Sequence, residues 1–216
     1  MYTLVIGNKN YSSWSLRGWL MLKQFEISFE EIRLPLYSDV FNEKIMDYSP
    51  TGLVPTLVSG DLSIWDSLAI CEYIAEQHPE LHCWPEDVQA RAIARSISSE
   101  MHSGFFQIRN VLPMNIRRHR AIETISGDLA KEIERVCEIW KTCRQFYAVG
   151  GEFLFGRFSI ADVMYARVVL RFKIYLIDVG DVEAVYMQSM LSLASLQEWI
   201  DAALAEEEVI DLYEQL

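Results

Sequence analysis

The sequence predicts an α/β N-terminal half followed by an all-helical C-terminal half. Three observations carry that expectation. Apolar runs of strand length, bounded by turn residues, occur only up to Trp65. After Val88 the chain is filled by long stretches with helical periodicity. Between the two, the segment PELHCWPED from Pro79 to Asp87 holds two prolines and interrupts both patterns, as a linker does. The expected division is residues 1–78, a linker at 79–85, and residues 86–216.

A chain of 216 residues with 51% hydrophobic content can bury one large core or two small ones. Its net charge of −12 argues against nucleic acid as the main partner. No apolar run approaches the length of a membrane span. The start, MYTLVIGNKN, lacks the basic region and apolar core of a secretory signal, so a cytoplasmic location is expected, with no membrane partner. Cys71, Cys83, Cys137 and Cys143 form no C-x-x-C pair, and reduced structural thiols are the reading that fits.

Each element has its own signal. Met1 to Gly7 reads as a buried strand in which Tyr2, Leu4 and Ile6 alternate with Thr3 and Val5. Asn8 to Tyr11 is a polar loop, and Ser12 or Ser13 caps a helix from about Trp14 to Phe25. Ser28 to Leu34 is a second strand, and Asp39 to Tyr48 a short helix capped by Ser38 or Asp39. Val54 to Val58 is a strand entered through Pro55, paired through a Ser59-Gly60-Asp61 turn with Leu62 to Trp65. Asp66-Ser67 then opens a helix whose apolar positions Leu68, Ile70, Cys71, Ile74 and Ala75 recur at helical spacing. The order β-α-β-α-β-β-α fits a thioredoxin-like domain. Beyond the linker, helices are expected over Val88 to Asn110, Ile122 to Ala148, Ile160 to Tyr175 and Leu191 to Ala205, ahead of an acidic tail at Glu206-Glu207-Glu208 and a final turn. Ser159 and Asp162 have the spacing of a capping box.

The stretch TGLVPTLVSGDLSIWDSLAICEYIAEQHP carries the functional signal. A proline at the start of an inner strand calls for a cis Val54-Pro55 bond, leaving the Val54 backbone free to pair with an extended peptide. One hairpin away, the helix start at Asp66-Ser67 suits a carboxylate. A strand edge beside an anion hole describes a site for a short acidic peptide. V-P-T-L followed by D-S-L-A-I-x-E-Y-I resembles the glutathione-binding half of the glutathione S-transferase family. The Ser-Ser-x-Ser-x-Arg run at Ser12, Ser13, Ser15 and Arg17 is similar to its zeta class, and more loosely to theta.

The resemblance implies a thioredoxin-like domain followed by an all-α C-terminal helical bundle. It implies a homodimer, and a cytoplasmic transferase with a detoxification role that takes glutathione as co-substrate and no metal. Ser12 takes the position of the catalytic serine, with Tyr11 and Ser13 as rival donors. A hydroxyl bond to a thiolate is worth ~1.5–3 kcal/mol, and a helix N-terminus adds ~0.3–1 kcal/mol. Together they could lower a thiol pKa by about 1 to 3. Asp66 and Ser67 would hold the γ-glutamyl end, while Val54 and Pro55 would support the cysteinyl backbone. Trp14 stands where the zeta class has cysteine, and Leu53 stands where zeta and beta members often have Gln or Lys. A contact to the glycyl carboxylate is then either missing or supplied from Lys44 or Arg17.

The second substrate is expected against the first long helix of the C-terminal half. Met101, Phe105 and Arg109 fall on one face at i, i+4 and i+8, and with Trp14 would wall its pocket. An alternative for the same residues is an ordinary core stripe with a solvated arginine. The basic run Arg117-Arg118-His119-Arg120 is expected to be a solvated face. His78 and His82 have metal-like spacing, but Pro79 interrupts the helix that would align them. The expected function is addition of the glutathione thiolate to a small electrophile. Alternatives are a glutathione-dependent cis-trans isomerase of the maleylacetoacetate type and a non-enzymatic binding module.

Overall fold

The computed structural model describes residues 1–122, 124–125 and 127–214. The first half contains β1 (Tyr2–Ile6), α1 (Ser13–Gln24), β2 (Phe29–Arg33), α2 (Asp39–Lys44), β3 (Thr56–Ser59), β4 (Leu62–Trp65) and α3 (Ser67–Gln77). The four strands form one sheet in the order β2-β1-β3-β4. β1 pairs parallel with β2 and antiparallel with β3, and β3 pairs antiparallel with β4. This is a thioredoxin-like arrangement, joined to a helical second half.

β1 is an inner strand covered on both faces, so Leu4, Val5 and Ile6 are all fully buried. Leu4 and Ile6 join the main core with Leu16, Leu20 and Ile70. Val5 faces the other way, into a smaller cluster with Leu34 and Ile45. The Val54-Pro55 bond is cis, as expected. The strand itself begins two residues later than expected, at Thr56. The expected helix over Asp39 to Tyr48 is α2 continued by a single 3₁₀ turn, Ile45–Asp47.

The second half consists of α4 (Val88–Ser103), α5 (Phe106–Val111), α6 (Gly127–Phe146), α7 (Ile160–Ile174), α8 (Asp181–Leu191), α9 (Ala194–Leu204) and the short α10 (Asp211–Glu214). α7 is its axis, buried along almost its whole length and packed against α1, α4 and α8. Its N-terminus holds the expected capping box, with the Asp162 carboxylate accepting from the Ser159 N–H at 2.9 Å and the Ser159 hydroxyl at 3.0 Å.

Three expectations fail here. The single helix over Val88 to Asn110 is broken. Gly104 adopts an extended backbone, and Phe105 takes a left-handed φ of 58°. A Cβ at Gly104 would lie 2.8 Å from the Glu100 carbonyl oxygen, so the break depends on glycine. The helix expected from Ile122 starts instead at Gly127, and residues 123 and 126 lie outside the described set. α8 was not anticipated, and the helix expected from Leu191 begins at Ala194. Its surface-lying sequence, DVEAVYMQSML, buries only Glu183, Tyr186 and Met190, which is a weak periodic signal.

All four cysteines are free thiols. Burial pushes Cys83 and Cys137 up to about 11 and Cys143 up to about 12, which keeps them protonated and unreactive at neutral pH.

Candidate active site

Ser12 is the N-cap of α1. Its Oγ accepts from the Ser15 N–H at 3.3 Å and donates to Ser15 Oγ at 2.8 Å. Ser15 Oγ in turn accepts from the Gly7 N–H at 3.0 Å, which ties the end of β1 to the helix start. Ser12 therefore has the geometry of a cap and also borders a cleft of about 520 Å³. Ser13, Trp14, Leu53, Val54 and Arg109 border the same cleft.

Tyr11 reaches this cleft too, but its hydroxyl is committed elsewhere. It donates to Glu214 Oε1 at 2.6 Å and accepts from Arg117 Nη2 at 2.6 Å. Burial, followed by the bond to Glu214, holds its pKa above the ordinary tyrosine value. The Ser13 hydroxyl accepts from Arg171 Nη2 at 3.3 Å.

Asp66 has a left-handed φ of 75° and caps α3, its Oδ1 accepting from Leu68 N at 2.9 Å and Ala69 N at 3.1 Å. Its other oxygen, Oδ2, faces His102 Nε2 at 2.9 Å. Burial, then the nearby arginines, lower the His102 pKa against the pull of Asp66. Ser67 is fully buried, and its Oγ accepts from Arg17 Nη1 at 3.2 Å. Asp66, Ser67 and Pro55 do not border the 520 Å³ cleft. Arg17 is itself fully buried, so it is not available for the glycyl carboxylate.

The expected stripe of Met101, Phe105 and Arg109 does not exist, because the break at Gly104 separates α4 from α5. Met101 and Phe105 point into the main core, at 0% and 6% exposure. Arg109 alone of the three borders the cleft. Two residues that sequence reasoning passed over stand beside it. Arg167 and Arg171, one turn apart on α7, border the cleft as well. Their signal was present in the sequence: they are two cations at i and i+4 in a helix otherwise buried and largely apolar.

Arg17, Arg109 and Arg167 surround the Trp14 ring, with guanidinium carbons 4.8, 5.1 and 4.9 Å from its centroid. Their hydrogen-bond acceptors are neutral. Arg167 donates to the Met101 carbonyl at 2.9 Å, Arg109 to the Met101 and His102 carbonyls at 3.0 and 2.6 Å, and Arg171 to the Leu112 carbonyl at 2.7 Å. Nε and Nη1 of Arg167 are buried with no partner among the described residues. Burial, then Arg109, pushes Arg17 down to about 9 and Arg171 down to about 10, and Arg167 is lowered further by burial and by Arg17 and Arg171. A cleft floor of mutually repelling cations is relieved by an anion.

Arg117 and Arg118 are not a solvated face. Arg117 Nη1 and Nη2 donate to the Glu206 and Glu208 carbonyls at 2.6 and 2.8 Å, and Arg118 donates to the Glu214 carbonyl. Arg117 and Arg118 clamp the C-terminal segment, whereas His119 and Arg120 are exposed, as expected.

Comparison with known proteins places this geometry in context. Residues 11–77 match the family model described as the glutathione S-transferase N-terminal domain. The chain is similar to a probable maleylacetoacetate isomerase of Caenorhabditis elegans, 30% identical over 71% of this chain and 73% of the relative. It is similar in structure to a glutathione transferase homolog from Burkholderia with bound glutathione, at TM-score 0.68 and 22% identity over 94% of this chain and 97% of that one. A bacterial zeta-class maleyl pyruvate isomerase superposes at TM-score 0.71 and 15% identity over 96% of this chain and 100% of that one.

Proposed function

The chain belongs to the glutathione S-transferase family, and we propose that it binds glutathione and adds the glutathione sulfur to a small electrophile. The observation that carries this reading is the shared cleft. Ser12 at the start of α1 and Val54 at the cis-proline turn border one cavity that is open to a second substrate. Glutathione supplies the thiol nucleophile. With glutathione bound, the Ser12 hydroxyl turns from the neutral Ser15 Oγ to donate to the charged thiolate, Val54 pairs with the cysteinyl backbone, and Asp66 takes the γ-glutamyl ammonium on Oδ2. Ser67 is assigned to the γ-glutamyl carboxylate, which requires that carboxylate to reach beneath Arg17. The domain division at 78 and 86 belongs to the same proposal, and so do a homodimeric state and a cytoplasmic location. Among the described residues, no helix is long and apolar enough to cross a membrane.

One observation favours the second reading, a glutathione-dependent cis-trans isomerase acting on a dicarboxylate. Arg109, Arg167 and Arg171 border the cleft with neutral acceptors only, and Arg167 has unpaired buried N–H groups. In that reaction the thiolate adds to an activated alkene and pushes its π pair into the adjoining carbonyl, the former double bond rotates as a single bond, and return of the pair re-forms it and expels the thiolate without net conjugation.

The test is glutathione binding by calorimetry at millimolar concentration. It is followed by parallel assays of conjugation and of isomerisation of a cis-dienoic diketo acid. Absence of glutathione binding would leave the binding-module reading. Arg109→Met is expected to raise KM for a carboxylate-bearing electrophile roughly tenfold, the equivalent of one lost charge-assisted bond, with little change for a neutral one. Equal changes for both substrates would show that Arg109 acts only as packing.

A further inference from the structure

The segment after α9 runs back over the loop that carries Ser12, and its attachment is unusually dense. The Glu206 carboxylate accepts from the Lys9 N–H at 2.7 Å and the Asn10 N–H at 3.0 Å. Arg33 reaches Glu208 at 2.6 Å. Arg117 spans the segment, touching the Glu206 and Glu208 carbonyls and the Tyr11 hydroxyl. Glu214 closes the far end, accepting from Tyr11 at 2.6 Å and from Asn115 Nδ2 at 2.8 Å. The Ile210 N–H donates to the Tyr11 hydroxyl at 3.3 Å.

These bonds fasten the segment that carries Tyr213. The Tyr213 ring stacks on Tyr11, with centroids 5.6 Å apart and planes 25° apart. Its hydroxyl meets that of Tyr37 at 3.1 Å, on the loop before α2. Tyr213 borders the same cleft as Ser12, Trp14 and Arg171. The C-terminal segment thus carries an aromatic wall into a cavity whose other sides come from α1, α2 and the loop before it, the Leu53–Val54 turn, α5, the turn after it, and α7.

We propose that Tyr213 is a specificity-determining residue, the wall against which the group attached to the glutathione sulfur packs, held there by the Arg117 clamp. This inference rests on the glutathione reading above. The segment's acidic side chains serve as its fastenings. The sulfur substituent leaves Ser12 and meets a flat, rigid aromatic face. Such a face favours planar or aromatic electrophiles over small alkyl ones.

The experiment measures equilibrium binding of S-methylglutathione and S-benzylglutathione by calorimetry. Tyr213→Ala is expected to weaken S-benzylglutathione about tenfold while leaving S-methylglutathione within about twofold, because only the larger substituent reaches the ring. Tyr213→Phe keeps the ring and is expected to bind both ligands as the wild type does. Arg117→Met leaves the ring but releases its clamp, and is expected to show the same benzyl-selective loss. A loss equal for both ligands, or no loss in Tyr213→Ala, would overturn the assignment and leave the segment a structural fastening. A wild type that binds neither ligand would overturn the glutathione reading, and this inference with it.

Discussion

Replacing Asp162 with alanine is expected to destabilise the fold by about 3 kcal/mol near neutral pH, through buried N–H groups left without acceptors. The carboxylate is fully buried at the N-terminus of α7, the helix that packs against α1, α4 and α8. It accepts from Ser159 N and Oγ, and its Oδ1 accepts from the Leu154 N–H at 3.1 Å. These bonds join the loop before α7 to its first turn. Burial outweighs them in setting the acidity, and raises the Asp162 pKa to about 6. A carboxyl raised above its unfolded value stabilises most below that unfolded value, and the contribution fades as pH rises through about 6. The difference from an ordinary aspartate corresponds to about 3 kcal/mol. The cost of Asp162→Ala should therefore be larger near about pH 5 than near about pH 7.5, measured by urea unfolding at both. A cost that shrinks on acidification would mean that the carboxylate is ionised in the fold throughout.

Local chemistry made much of this molecule legible. The strand periods, the cis proline and the Ser159–Asp162 box depend on residues close in sequence, and apart from the later start of β3 each was found where its pattern placed it. The α4–α5 break was hidden because Gly104 is a single residue in a helical pattern, and one glycine is compatible with a continuing helix. That error carried Met101 and Phe105 into the expected pocket, whereas the structure buries both in the core. Two of the cleft's three cations were missed for a different reason. Arg167 and Arg171 are local to α7, but what they face is set by α1 and by the turn after α5. The role of Arg117 depended on a partner about 90 residues away, a Glu208 carbonyl no sequence pattern points to. Side-chain identity could be read from local patterns, and long-range pairing could not.

Ser12→Ala is expected to have the largest effect on chemistry. Losing one hydrogen bond to a thiolate, worth ~1.5–3 kcal/mol, should raise the pKa of the bound thiol by about 1 to 2. Near neutral pH that lowers the thiolate fraction, and with it the rate, by roughly tenfold to a hundredfold. The same change removes the α1 cap, which costs about 1 kcal/mol of stability and is read separately by thermal unfolding. Tyr11→Phe should leave the thiol pKa unchanged, because its hydroxyl is bonded to Glu214 and Arg117.

The direct measurement is thiolate absorbance of enzyme-bound glutathione as pH is varied, for the wild type and Ser12→Ala side by side. The wild type should ionise the bound thiol near or below neutrality, and the variant should ionise it at higher pH while still binding glutathione. Identical titrations for the two proteins would contradict the assignment of Ser12 as the group that stabilises the thiolate.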